Sequence, residues 1–193
     1  MGKYLNSRVP FESYREIAGT RFFVDKSLLL EDILNTVEVD GQKYLCITGP
    51  RRFGKSVMAN MVALFFERAV DSGTLFERLA IARSENYKAH LNKHNVVYID
   101  FSETPRDRAN YRQYIARIQD GINHDLVKAY HDLPIDTVKA LWDILDEISG
   151  KQRKNLFLLL TNGTQYSTCH LSQEQIRLTV LIFSRICSGI RNM

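Results

Sequence analysis

The stretch Gly49-Pro-Arg-Arg-Phe-Gly-Lys-Ser56 constrains this chain more than any other. It fits glycine, four residues, then glycine-lysine-serine, the pattern of a phosphate-binding loop. Each position has a physical reason. Glycines let the loop close so that backbone N–H groups point inward at a phosphate. The lysine reaches the β- and γ-phosphates, and the serine hydroxyl ligates Mg²⁺. A helix that begins directly after the loop adds the positive end of its dipole. The flanks here match that mechanism. Tyr44 to Thr48 reads as a short buried strand running into Gly49. Val57 to Arg68 carries Val57, Met58, Met61, Val62, Phe65 and Phe66 at helical spacing, with two buried faces. The alternative is a glycine-rich turn with a solvated lysine, and the strand and helix beside it weigh against that.

Around the loop, strands and helices alternate. Phe11, Tyr14 and Ile17 have helical spacing in the polar stretch Met1 to Gly19. Arg21 to Asp25 reads as a short strand. Ser27 reads as the cap of a helix over Leu28 to Leu34, with Glu31 and Asp32 in its first turn. Val39 to Gln42 is a turn. Gly73 breaks the pattern after the loop helix, and Leu75-Phe76 with Leu79 to Ile81 forms a satellite packing segment. Asn95 to Ser102 is a second strand. Tyr111, Tyr114, Ile115, Ile118, Ile122 and Leu126 mark an amphipathic helix. Pro134 to Asp136 opens another helix, with Val138, Leu141, Trp142, Leu145 and Ile148 inward. Gly150 ends it, and Lys151 to Asn155 is a basic turn. Leu156 to Leu160 is the third strand. The alternation predicts an α/β fold with a mainly parallel sheet, a three-layer arrangement of the P-loop NTPase type.

Composition narrows the function classes. The chain has 193 residues, 45% of them hydrophobic, which suits one ordinary domain or one domain plus a tail. A net charge of +4, with the charges interspersed, is compatible with an anionic ligand and does not demand nucleic acid. Cys46, Cys169 and Cys187 have no metal-ligand spacing and read as reduced cytosolic thiols, with Cys46 in a core strand. The five histidines show no ligand spacing either. Tyr111, Tyr114 and Tyr130 read as packing rather than a base-stacking platform, and Trp142 as core. No signal peptide or membrane-spanning run is present, so a cytoplasmic protein without a membrane partner is expected.

A nucleotide-hydrolysing site also needs a carboxylate near Mg²⁺, usually at the end of a neighbouring strand. Val96-Val-Tyr-Ile-Asp100 ends in an acid, which either serves there or simply starts a turn. Leu156 to Leu160 has the right hydrophobicity but ends in Thr161-Asn162 and carries no acid.

Four segments together carry a family resemblance: Phe23-Val-Asp-Lys-Ser27, Gly49 to Ser56, Leu75-Phe76 with Leu79-Ala-Ile81, and Val96 to Ser102. They resemble the bacterial AAA-ATPase-like family, whose members often carry a C-terminal PD-(D/E)XK nuclease-like domain. The likeness covers about residues 8 to 160. It implies an ATP-binding domain in which Gly49, Pro50, Arg51, Arg52, Phe53, Gly54, Lys55 and Ser56 hold ATP. Ser56 would meet Mg²⁺, and Lys55 would act in catalysis. Asp25-Lys26-Ser27 resembles the family's Asp-Lys-Ser/Thr signature, which would meet nucleotide or position the loop. In the family, hydrophobic-Asp-Glu followed by Tyr or Trp ends the strand matching Leu156 to Leu160. This chain lacks that motif and the nuclease-like domain. Asp100 is the acid left to substitute.

The resemblance therefore divides the chain into an AAA-ATPase-like portion, residues 1–160, and a non-family tail, residues 161–193, leaving the fold incomplete at its C-terminus. A single-base frame change near residue 160 would explain the division, because codons compatible with Leu159 to Gly163 can be read as Ile-Asp-Glu-Trp in the shifted frame. The DNA across codons 155 to 193 should show such a shift restoring Asp-Glu; if no single-base shift does, the explanation fails. Within the tail, Ser172-Gln-Glu-Gln175 resembles a capping box that would start a helix over Ser172 to Ile186. Three functions follow: an ATPase module, a nucleotide-binding fragment without hydrolysis, and a nucleic-acid-associated regulator.

Overall fold

The computed structural model describes residues 2–37, 44–50, 52–102, 108–152, 156–161 and 178–185. The order of elements is α1 (Val9–Ala18), α2 (Leu29–Val37), β1 (Tyr44–Gly49), α3 (Lys55–Phe66) and α4 (Gly73–Phe76). A 3₁₀ turn (Ala80–Arg83), α5 (Tyr87–His90) and β2 (Asn95–Asp100) follow. Then come α6 (Arg108–Ala129), α7 (Leu141–Gln152), β3 (Leu156–Thr161) and β4 (Leu178–Arg185). The four strands form one sheet in the order β1-β4-β3-β2. Every pairing is parallel, so the chain folds as the α/β protein that the alternation predicts.

Side chains of β2 and β3 alternate between two cores, as a pleated strand requires. Val96, Tyr98, Phe157 and Leu159 face a core built by α1, α2, α3 and the 75–91 region. Val97, Ile99, Leu158 and Leu160 face the opposite core, under α6 and α7. Helices thus cover both faces of the strands. Helix α3 is the centre of the first core. Every residue from Ala59 to Phe66 is buried, and the Phe66 ring stacks on Phe157 at 4.0 Å between centroids. Such a ring pair adds about 0.5–1.5 kcal/mol beyond its buried area. Residues 4–6 run along the outer edge of β2, with Tyr98 N–H donating to Tyr4 and Asn6 N–H to Val96. That pairing blunts an edge strand that would otherwise offer open hydrogen bonds. No helix among the described residues is long and apolar enough to cross a membrane.

Six local expectations change. Arg21 to Asp25 is not a strand: Phe23 packs on the core while Phe22 and Val24 stay exposed, and none of the described strands pairs with it. Ser27 does not cap α2, because its hydroxyl accepts instead from the Ile81 N–H at 3.1 Å. The helix expected from Pro134 starts only at Leu141, since the Asp136 carboxylate takes the Val138 N–H into a turn and Val138 is 92% exposed. Gly150 lies within α7 rather than ending it.

Leu178 to Arg185 is a strand, where a helix over Ser172 to Ile186 is expected from the capping pattern. Its Leu-Thr-Val-Leu-Ile-Phe run fits a slot between two parallel strands, where both faces are covered and continuous apolar sequence is favoured. A short apolar run of that kind does not distinguish strand from helix by period alone. Cys46, expected in a core strand, is exposed, and no β1 residue joins the second core among the described residues. The turn at Val39 to Gln42, most of the basic turn, Cys169, His170, Cys187 and the Trp142 side chain lie outside the described residues.

Candidate functional site

The Gly49–Ser56 loop joins the end of β1 to the start of α3. Gly54 precedes the helix at φ +79°, a left-handed conformation that glycine adopts without cost and that a side chain resists. Arg52 is also left-handed, at φ 63°, which is uncommon for a residue with a Cβ. These turns bring the chain round sharply enough to start α3 at Lys55. The helix begins with no side-chain cap. Its first-turn N–H groups therefore have no side chain of the N-cap to satisfy them, an arrangement suited to an anion.

The Lys55 ammonium folds over its own loop. It donates to the Gly49 carbonyl at 2.8 Å and to the Pro50 carbonyl. Those bonds hold the cation at the mouth of the loop, where it can be handed to a stronger acceptor. Ser56 is exposed in the first turn of α3, and Pro50, Arg52 and Phe53 are exposed as well. Arg51 lies outside the described residues. Gly49, Gly54, Lys55 and Ser56 are thus gathered at one helix start.

A second segment is tied to this loop. Lys26 donates to the Phe53 carbonyl at 3.0 Å, and its ammonium stands 4.7 Å from the centroid of the Phe53 ring. Its neighbours are fixed from elsewhere. Asp25 accepts from the N–H groups of Ser27 at 2.8 Å and Ala80 at 2.7 Å. With the Ser27–Ile81 bond, these contacts pin Asp25-Lys26-Ser27 to the 3₁₀ turn. Partial burial works against the charge on Asp25, but the hydrogen bonds from Ser27 and Ala80 outweigh it and hold the carboxyl below its usual range. So the lysine that reaches the loop stands on a fixed base.

Asp100 is placed differently. It ends β2, which lies at the other edge of the sheet from β1. The separation is three strand spacings, about 14 Å at the ordinary spacing. Its carboxylate accepts from the Ser102 N–H at 2.9 Å, the turn-starting role. Strand β3 ends at Thr161, whose buried hydroxyl has no hydrogen-bond partner. The described strands therefore bring no carboxylate beside the loop. For Mg²⁺, Ser56 would supply one hydroxyl ligand, and the remaining ligands would be phosphate oxygens and water. Among the described residues, no group of histidines, cysteines and acids is placed to hold a metal by itself.

Residues 8–179 match the family model described as "Predicted AAA-ATPase", AAA-ATPase-like. The chain belongs to this family. The match takes in all four segments that carry the resemblance and runs past residue 160, through β3 to the first residues of β4. No curated protein and no solved structure matches the chain. In this AAA-ATPase-like chain, sequence reasoning missed the residues that neighbour the loop in space. Tyr14, Phe22 and Phe23 border it from the N-terminal segment. The available signal was two adjacent aromatics in an otherwise polar stretch.

Proposed function

We propose that this AAA-ATPase-like domain binds ATP–Mg²⁺ on the Gly49–Ser56 loop, as a P-loop of the additional-strand type. The observation that carries this reading is the helix start at Lys55: uncapped first-turn amides, a left-handed glycine, a lysine and a serine gathered at one point. The sheet order supports it, because β4 inserts between the loop strand and β3. Gly49, Gly54 and the loop amides would cradle phosphates, Lys55 would reach the terminal ones, and Ser56 would meet Mg²⁺. Arg52 stands exposed on the loop, where its guanidinium can meet further phosphate oxygens.

A second observation favours binding without turnover. Among the described strand ends the acid is Asp100, and it sits at the far edge of the sheet from β1. Without a carboxylate beside Mg²⁺, neither the ion nor an attacking water is held for in-line attack. Phosphate release from ATP under saturating conditions should therefore stay at the uncatalysed background while equilibrium binding is measurable. Sustained release that disappears in Asp100→Asn would overturn the non-hydrolytic reading and make Asp100 the substituting acid. Nucleic acid as a partner has no comparable support: the basic charge is modest and dispersed.

A further inference from the structure

Lys26 is tied at both ends. Its chain neighbours are bonded to the 3₁₀ turn: the Asp25 carboxylate accepts from the Ala80 N–H at 2.7 Å, and the Ser27 hydroxyl from the Ile81 N–H at 3.1 Å. Its ammonium reaches the other way, donating to the Phe53 carbonyl at 3.0 Å. Asp25 is the adjacent anion, yet its carboxylate is committed to the Ser27 and Ala80 amides, and the cation goes to a neutral acceptor in the loop. Lys26 meets that acceptor along a cleft of about 410 Å³ beside the loop, which Phe22, Arg52, Phe53 and Gly54 also line.

The acceptor is a particular one. Phe53 lies between Arg52 at φ 63° and Gly54 at φ +79°. A left-handed residue that carries a Cβ persists only where surrounding contacts fix it. The Phe53–Gly54 peptide is trans, so the Phe53 C=O and the Gly54 N–H share one plane and point in opposite directions. A donor that holds the carbonyl on one side therefore directs the Gly54 N–H to the other. The ammonium also sits directly against this peptide: a Cβ placed on Gly54 would meet Lys26 Nζ at 3.8 Å.

We propose that Lys26 is a positioning residue of the phosphate loop: it holds the Phe53–Gly54 peptide so that the Gly54 N–H faces the bound phosphate, and Asp25 and Ser27 hold Lys26. This rests on the nucleotide reading of the loop. An amide already turned toward the ligand binds without first rearranging, which is how preorganisation gains affinity. Without the lysine, the peptide is free to rotate between its two flanking residues, and the Gly54 donor is lost for part of the time. A lysine that touched the ligand itself would act differently, because its removal would leave the Gly54 amide of the unliganded loop where it was.

The test uses the full chain. Calorimetric titration measures ATP and inorganic tripolyphosphate, each with Mg²⁺, and backbone amide resonances report on the unliganded protein. Lys26→Met keeps the aliphatic stem and removes the donor. It should weaken both probes by roughly 10-fold, the lower end of what one hydrogen bond to a charged group is worth. It should also move the Gly54 amide resonance before any ligand is added. Lys26→Arg restores a donor to the carbonyl and should recover most of the affinity. In a Phe53→Leu background, which keeps the carbonyl and loses the aromatic face, Lys26→Met should cost the same factor. Parent-like affinity in Lys26→Met would overturn the positioning role and leave the loop reading standing. Weaker binding with an unmoved Gly54 resonance would overturn it as well, and would put the ammonium on the ligand. A cost that vanishes in the Phe53→Leu background would mean that Lys26 serves the ring and not the carbonyl, and would overturn it too. Binding of neither probe by the parent chain would overturn the loop reading and the role of Lys26 together.

Discussion

Lys55→Ala is expected to weaken ATP–Mg²⁺ binding by roughly 10- to 150-fold, the loss of one or more charge-assisted hydrogen bonds of about 1.5–3 kcal/mol. The ammonium now rests on the Gly49 and Pro50 carbonyls, which are neutral acceptors. A phosphate oxygen is a stronger partner, so the cation is expected to transfer to the ligand on binding. Removing it costs little in the unliganded fold, because the bond to the Pro50 carbonyl is exposed and that to Gly49 only part-buried, so water can replace the ammonium. The variant should therefore unfold close to the parent temperature while its affinity collapses. Titration calorimetry beside a thermal melt separates the two effects. Parent-like affinity in a well-folded Lys55→Ala protein would show that ligand does not engage this lysine.

Glu67→Gln should stabilise the protein at alkaline pH. Glu67 ends α3 at only 1% exposure, and its Oε1 has no hydrogen-bond partner. Burial pushes its carboxyl up to about 7 from an ordinary 4.5. The folded state thus binds a proton that the unfolded chain has released. Below the unfolded value both states are protonated and the group is neutral to stability. As pH rises from there through about 7, the folded state must give up its proton in a buried site, and stability falls. At about 1.4 kcal/mol per pH unit, the loss approaches about 3 kcal/mol. Glutamine cannot ionise, so urea denaturation should find the variant more stable by about that amount at pH 8. The advantage should close as pH approaches 4.5. A constant difference across that window would mean that Glu67 is not the titrating group.

The loop was legible in sequence because its determinants are local. Gly54 needs its left-handed turn whatever surrounds it, and the flanking strand and helix declare themselves by short-range period. The alternation of β2 and β3 was equally plain. What escaped was decided by distant partners. Ser27 and Asp25 look like a helix start until Ile81 and Ala80, more than fifty residues on, claim their side chains. Leu178 to Arg185 carries a helix-like approach, yet its backbone pairs with both β1 and β3. Cys46 reads as core from its apolar neighbours, yet it is exposed, because burial depends on what packs over a strand and not on the strand's own sequence. The cleft was invisible for the same reason. Phe22 alternates with Phe23 as a strand would, but none of the described strands pairs with that segment, and Phe22 and Phe53 come to line one cleft only in three dimensions.

The most direct test of nucleotide binding is a titration of ATP–Mg²⁺ into isotopically labelled protein, followed through backbone amide resonances. The largest shifts should fall on Gly49 and on Gly54, Lys55 and Ser56, whose N–H groups would meet phosphate, with a smaller one at Lys26, which is bonded to the loop. Saturating ATP–Mg²⁺ that leaves the Gly49–Ser56 amides unmoved would contradict the account.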